Sequence, residues 1–136
     1  MAGNITLEVV TPEKVVVSEE VQIAVAPGTL GEFGVLVGHT TFLTTLKTGT
    51  IHYTGADGAQ NYIFTSDGFA EALPDKLTVL AESAERRRDI DAERAKAALE
   101  RAQKRLEKVA EDIDFARAKA ALERALHRLK LAGTRQ

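Results

Sequence analysis

The chain has 136 residues, a net charge of −2, 44% hydrophobic and 28% charged side chains. That balance excludes a disordered polymer and is long enough for a buried core. Cysteine is absent, which removes disulfides, thiol catalysis and cysteine-ligated metals together. No apolar run approaches the roughly 18 residues that a membrane-spanning helix needs. The start, Met1-Ala2-Gly3-Asn4, lacks the basic and apolar regions of a signal peptide. Tryptophan is missing and aromatics make up 5%, a thin supply for stacking nucleic-acid bases.

The small net charge hides two unlike halves. Residues 1–80 hold nine acidic and three basic side chains, whereas 81–136 hold 11 acidic and 15 basic. Nine of the ten glycines precede residue 81, while 14 of the last 56 residues are alanine. Two structural units are expected, 1–84 and 85–136.

In the first unit, turn signals recur every eight to ten residues: Thr11-Pro12-Glu13-Lys14, Ala26-Pro27-Gly28, Lys47-Thr48-Gly49, Gly55-Ala56-Asp57-Gly58, Asp67-Gly68 and Leu73-Pro74-Asp75-Lys76. Between them lie short segments rich in Val, Ile, Thr, Tyr and Phe. Val21, Ile23 and Val25 alternate with Gln22 and Ala24, the period of a half-buried strand. Ile51 and Tyr53, then Tyr62 and Phe64, flank an Asp57-Gly58 turn and predict a hairpin. About eight to ten strands at this spacing indicate an antiparallel sandwich or barrel.

The run from Gly28 to His39 invites a phosphate-loop reading. Its glycines, 28, 31, 34 and 38, match neither the P-loop nor the dinucleotide spacing, and no Lys-Ser/Thr follows. They instead allow sharp turns or close backbone approach. Leu30 and Phe33 then either tuck into the sandwich or form an exposed apolar contact for a partner.

The second unit has no glycine or proline from Glu82 to Ala132 and is dominated by strong helix formers. Asp89-Ile90-Asp91 offers an N-cap. Ala95, Leu99, Ala102, Leu106 and Val109 form one narrow apolar seam; Ala118, Leu122, Ala125, Leu129 and Ala132 form another. The two are copies: IDAERAKAALERAQKRL at 90–106 and IDFARAKAALERALHRL at 113–129 agree at 13 of 17 positions. Two equivalent helices with one sticky stripe each pack most simply on each other, as an antiparallel hairpin with Asp112 capping the second. No glycine or proline forces the turn, so one continuous helix is the competing arrangement. A seam of alanines buries little area, which makes the hairpin modestly stable.

A turn centred near 111–112 brings Arg94 towards Arg128 and Arg101 towards Arg124. Guanidiniums gathered in this way suit an anion such as phosphate, which they bind bidentately. Glu85 and Asp91 are close enough in sequence to serve a ribose or magnesium. The competing reading is a solvated face with local Asp91–Arg94, Asp114–Arg117 and Glu100–Lys104 pairs. His39, His52 and His127 lack ligand spacing, no serine sits in a nucleophile elbow, and the basic excess of the tail is interleaved with acids. Metal, nucleophilic and nucleic-acid chemistry are therefore not expected.

Taken together, GEFGVLVGH at 31–39, LKTG at 46–49, DGFAE at 67–71 and LTVLAESAERRRDIDAERA at 77–95 make the chain resemble the epsilon subunits of F-type ATP synthases. The resemblance spans the whole chain. Ile90-Asp91-Ala92-Glu93-Arg94-Ala95 fits the family's I/L-D-x-x-R-A nucleotide motif in full. Val37 and Thr41 stand where the family tends to have proline, which leaves the local loop geometry open.

The resemblance implies a non-catalytic rotor subunit with a β-sandwich and a C-terminal two-helix hairpin. Its sandwich would bind a gamma subunit and rest on the membrane's c-ring through Leu30, Glu32, Phe33 and His39. Its helical tail would lie folded or extend into the alpha/beta hexamer and block ATP hydrolysis. No cofactor would be required. ATP, with or without magnesium, would hold the tail folded through Glu85, Ile90, Asp91, Arg94, Ala95, Arg101, Arg124 and Arg128. The protein would be peripheral, on the cytoplasmic face of a bacterial inner membrane or the stromal face of a thylakoid, held there only through its complex. The competing class is a β-sandwich adaptor with a coiled-coil tail for a protein or nucleic-acid partner.

Overall fold

The computed structural model describes residues 3–108 and 112–133, the side chains of 112 and 113 excepted. Two compact units divide the chain, Met1–Arg87 and Arg88–Gln136.

The first unit contains β1 (Ile5–Val10), β2 (Val15–Gly28), β3 (Gly31–Val35), β4 (Phe42–Leu46), β5 (Gly49–Gly55), β6 (Gln60–Thr65), β7 (Gly68–Leu73), β8 (Lys76–Ala81) and β9 (Ala84–Arg86). The expected strand-rich sandwich is present. All pairings are antiparallel except β1 on β8.

The first half of β2 pairs with β1, and its second half pairs with β5 on one edge and β3 on the other. One layer is therefore β2–β1–β8–β7–β4 and the other β3–β2–β5–β6–β9. Gly28 lies opposite Leu46, so the far end of β2 also meets β4. Alternate residues fill the space between the layers: Ile5, Leu7 and Val9; Ile51 and Tyr53; Ala70 and Ala72; Leu77 and Val79. Each is buried, as the period-two geometry of strands requires.

Two local expectations change. The register of β2 against β5 shifts between Val21 and Ile23. This bulge at Gln22 moves the core face from Val17 and Val21 to Ala24 and Ala26, leaving Ile23 and Val25 only half-buried. Second, Ala26-Pro27-Gly28 is not a turn. It continues β2, opposite Phe33, Glu32 and Gly31, and the chain reverses at Thr29-Leu30. Proline fits here because its carbonyl still accepts a bond from the Lys47 N–H at 3.0 Å.

Other turns follow their chemistry. Thr11 Oγ1 accepts from the Glu13 and Lys14 N–H groups, both at 3.3 Å. In the β5–β6 hairpin, Asp57 Oδ1 accepts from the Ala59 N–H at 3.0 Å, and Gly58 has φ +85°. Gly68 opens β7 against β8, where a Cβ would lie 2.0 Å from the Leu80 carbonyl oxygen.

The second unit contains α1 (Ala92–Glu107) and α2 (Asp112–Gly133), preceded by a 3-10 turn, Arg87–Asp89. The helices pack on each other. A 16-residue helix is about 24 Å long. The four residues between Glu107 and Asp112 reach about 14 Å at most. Packing along their length therefore makes the pair antiparallel. Ala95, Ala102, Ala118 and Ala125 are buried in the seam, and Leu99, Leu106, Leu122 and Leu129 are half-buried beside them. At the end of α2, Leu131 is buried although it lies off the stripe, and Ala132 is only half-buried. Val109 and the cap expected from Asp112 lie outside the described residues.

The units divide after Arg87, not at the expected 84/85, because Ala84–Arg86 pairs with β6 as an edge strand. Gly68→Ala should lower stability by about 2 kcal/mol in urea unfolding, since backbone blocks the added methyl. A second expectation concerns pH. Burial first, then the Glu19 carboxylate, pushes the Tyr53 phenol from 10.0 up to about 12, against a weaker pull from Arg86. The unfolded chain thus releases this proton before the folded one does. Folded stability should fall as pH rises from 10.0 towards 12, at up to roughly 1.4 kcal/mol per pH unit. Urea titrations across that window should show a shallower fall for Tyr53→Phe.

Candidate functional site

Two regions carry the candidate residues, one in each unit. In the first, the glycine-rich run forms a β2–β3 hairpin and a return segment. Gly31 has φ +134° and Gly38 φ +82°, values that favour glycine at both bends. The tip is tied to β4: the Thr29 N–H donates to the Thr45 carbonyl at 3.0 Å, and the two threonine hydroxyls lie 2.7 Å apart. Leu30, at this tip, is 100% exposed. Glu32 is exposed on β3.

Phe33 and His39 behave differently. Phe33 is half-buried, edge-on to Phe42 with ring centroids 5.1 Å apart. His39 packs on the other side of the sequence, also 5.1 Å from Phe42, and its Nδ1 lies 2.7 Å from the Thr40 carbonyl oxygen. Leu30 and Glu32 stand outward at the hairpin, while Phe33 and His39 share Phe42 as a platform. So the two readings of Leu30 and Phe33 divide: Leu30 is exposed and Phe33 is partly tucked in. Leu36, Val37 and Leu43 add exposed apolar surface nearby in the chain, at 49%, 40% and 70%.

In the second unit, Asp91 is the N-cap of α1. Its Oδ1 accepts from the backbone N–H of Arg94 at 3.0 Å, and its carbonyl accepts from the Ala95 N–H at 3.0 Å. The expected Asp91–Arg94 link is thus made to the backbone of Arg94. Ile90 is half-buried just before the cap. Ala95 is the first buried seam residue, so the motif's last position serves the helix pair's packing. Arg94 and Arg101 precede the buried Ala95 and Ala102, and both are exposed. On α2, Arg124 precedes the buried Ala125, and Arg124 and Arg128 are half-buried.

Glu85 is placed elsewhere. It lies half-buried in β9, opposite Phe64, and belongs to the first unit rather than to the helical region. Sequence reasoning also missed a polar cluster around β9. Arg86 donates to the Tyr53 hydroxyl at 3.0 Å and faces Glu19 at 4.0 Å. Arg87 lies 4.9 Å over the Tyr62 ring. Their long separations in the chain gave no motif to find. Among the described residues, no group of acidic, histidine or cysteine side chains could hold a metal, and no helix is long and apolar enough to cross a membrane.

Comparison with known proteins matches both units. The family model described as "ATP synthase, Delta/Epsilon chain, beta-sandwich domain" covers residues 4–87, and "ATP synthase, Delta/Epsilon chain, long alpha-helix domain" covers 88–133. An ATP synthase epsilon chain from Desulfatibacillum aliphaticivorans is 67% identical over 107 residues, 79% of this chain and 76% of that one. Another, from Nitratidesulfovibrio vulgaris strain DP4, is 50% identical over 111 residues, 82% of each chain. The fold is also found in a chain of the Euglena gracilis mitochondrial ATP synthase OSCP/F1/c-ring structure. That match has TM-score 0.75 and 24% identity, covering 88% of this chain and 76% of that one. A chain of the Tetrahymena thermophila mitochondrial central stalk/c-ring structure gives TM-score 0.64 at 10% identity, with coverage of 96% and 98%.

The cap predicts a measurable loss. Asp91→Ala should destabilise the helical unit by about 1 kcal/mol, seen as an earlier loss of helical circular dichroism on heating. Asp91→Asn, which keeps a capping oxygen, should retain most of it.

Proposed function

Because the chain belongs to the ATP synthase delta/epsilon family, among its epsilon subunits, we propose that it is a non-catalytic rotor subunit that also restrains ATP hydrolysis. The observation carrying this reading is the joining of a large-core sandwich to a helix pair held by alanines. The sandwich suits transmission of torque between a gamma subunit and the c-ring. The exposed Leu30 and Glu32 at the hairpin tip are its c-ring contact, with Phe33 and His39 stiffening the return segment on Phe42.

The helix pair suits a switch. Its four buried seam residues in α1 and the body of α2 are alanines, each adding one methyl to the interface, with leucines half-buried beside them. At about 0.8 kcal/mol per buried carbon, that face is weakly held. Folded, the tail permits turnover; extended along gamma into the alpha/beta hexamer, it blocks hydrolysis. ATP is the ligand that favours the folded state. Its phosphates are met by Arg94, Arg101, Arg124 and Arg128, with Asp91 holding the start of α1 in place and Ile90 and Ala95 forming the apolar flank. A ligand at 100 times its dissociation constant adds about 2.7 kcal/mol to the state it binds. That is the scale needed to tip a seam of this kind. In this reading the subunit sits peripherally at the energised membrane through its complex.

The test is a titration of the full chain with ATP, with and without magnesium, followed by backbone NMR. Saturable shifts at Ile90–Ala95, Arg101, Arg124 and Arg128, lost in Arg94→Ala, are expected. No shifts at several millimolar ATP (on the order of cellular levels) would remove the nucleotide from the reading. Inhibition of a reconstituted ATPase by the full chain, relieved when the tail is deleted, tests the restraint separately.

A further inference from the structure

β9 is the last strand of the first unit and hands the chain to the helical one. It has three residues and, among the described residues, pairs on one edge, with β6. A strand so short has little pairing to hold it. Yet side chains converge on it from both layers.

The least expected of them is Glu19. In the register of β1 on β2, Val9, Leu7 and Ile5 face Val17, Glu19 and Val21. The other five are buried core residues. Glu19 thus occupies a core-facing position where the pattern calls for an apolar residue. What faces it is Arg86 of β9, at 4.0 Å, with side-chain exposures of 41% and 22% for Glu19 and Arg86. Arg86 also donates to the hydroxyl of the core residue Tyr53 at 3.0 Å. An acid from one layer and a phenol from the other thereby hold the same guanidinium. The next residue, Arg87, stacks over Tyr62 of β6. On the near side, Ser83 and Ser66 clasp the approach to β9: the Ser83 N–H donates to Ser66 Oγ at 2.8 Å, and the Ser66 N–H donates to the Ser83 carbonyl at 2.9 Å.

We propose that Glu19, Tyr53 and Arg86, with Arg87 on Tyr62, form a latch that fixes β9 to the sandwich, so that movement of the helical unit pivots at Arg88 and beyond. The alternative is a tether that lengthens by peeling β9, which would release about 10 Å of chain. The latch opposes peeling because peeling must break the part-buried Arg86–Tyr53 hydrogen bond and separate Arg86 from the more exposed Glu19, the smaller of the two contributions. The mechanical consequence rests on the switch reading above; the latch itself does not.

Two measurements on the full chain decide it. In hydrogen exchange, those amides of β9 that donate to β6, alternate ones in an antiparallel edge strand, should be protected like those of β6. Tyr53→Phe should speed their exchange about tenfold and Glu19→Gln about threefold, with β5–β6 amides changed by less than about twofold. Loop-like exchange of β9 in the unmodified chain, or no response to both variants, overturns the latch. In a reconstituted ATPase complex, cysteines at Thr65 and Ala84, which are register partners, would lock β9 to β6 when oxidised. Inhibition unchanged between oxidised and reduced forms is expected; inhibition lost on oxidation and regained on reduction shows that β9 must peel and overturns the pivot. If the unmodified chain does not inhibit at all, the switch reading fails, and exchange still decides the latch.

Discussion

The sandwich depends on one strand serving two layers. β2 runs for 14 residues, longer than most strands in globular proteins. A flat strand of that length could not face two different partners with one apolar side. The bulge at Gln22 resolves the conflict: Val17 and Val21 face the core against β1, and after it Ala24 and Ala26 do so against β3 and β5. The small alanines leave room where β3, β2 and β5 crowd together. The outward hairpin follows from the same strand, since Leu30 stands at the point where β2 ends and β3 returns. Gly28 must stay small here, because a Cβ would lie 2.7 Å from the Gly31 carbonyl oxygen.

The two units differ in how they are held. The first buries Tyr53, Phe64, Ile5, Leu7, Ile51, Ile63 and Leu77 fully. Each such side chain contributes about 1.5–3 kcal/mol on burial. The helical unit has good intrinsic propensity and a formed N-cap, but the centre of its seam is alanine, with leucines only half-buried beside it. Its helices persist through propensity and capping; their association has far less behind it. By this asymmetry the helix pairing costs less to open than the sandwich core.

Much of the fold was legible because it is local. Turn chemistry at Thr11, Lys47-Thr48-Gly49, Asp57-Gly58 and Pro74-Asp75 sits between the strands it was expected to separate. The helix repeat revealed both helices and the alanines that pair them. What failed was non-local. Ala26-Pro27-Gly28 reads as a turn because the residues are turn formers; only the Lys47 N–H, supplied by a distant segment, makes them strand. Val21, Ile23 and Val25 read as one face because a bulge leaves no mark in composition. Glu85 reads as helix-proximal because Asp89 and Asp91 follow it, yet its pairing with Phe64 assigns it to the sandwich. Glu19 reads as an ordinary surface acid until β1 is laid beside it. Of the candidate site, the Asp91 cap was visible as a motif. The split of Leu30 from Phe33 was not, because it depends on Phe42 across the return segment.

The placement of the charged cluster follows from the asymmetry between units. A weakly paired helical unit that moved would load whatever residues join it to the stable sandwich. Without reinforcement, the three-residue edge strand nearest the junction would fray with it, and the boundary would spread into β6. Apolar burial cannot reinforce β9, because an edge strand has one covered face and few residues. Directional, charge-assisted contacts reaching in from Glu19, Tyr53 and Tyr62 can, since their strength depends on geometry rather than area. The division between compact units after Arg87, the same limit as the two family domains, lies immediately beyond the last of these contacts. The junction is sharp because the side chains that make it so are the final ones before the helical unit begins.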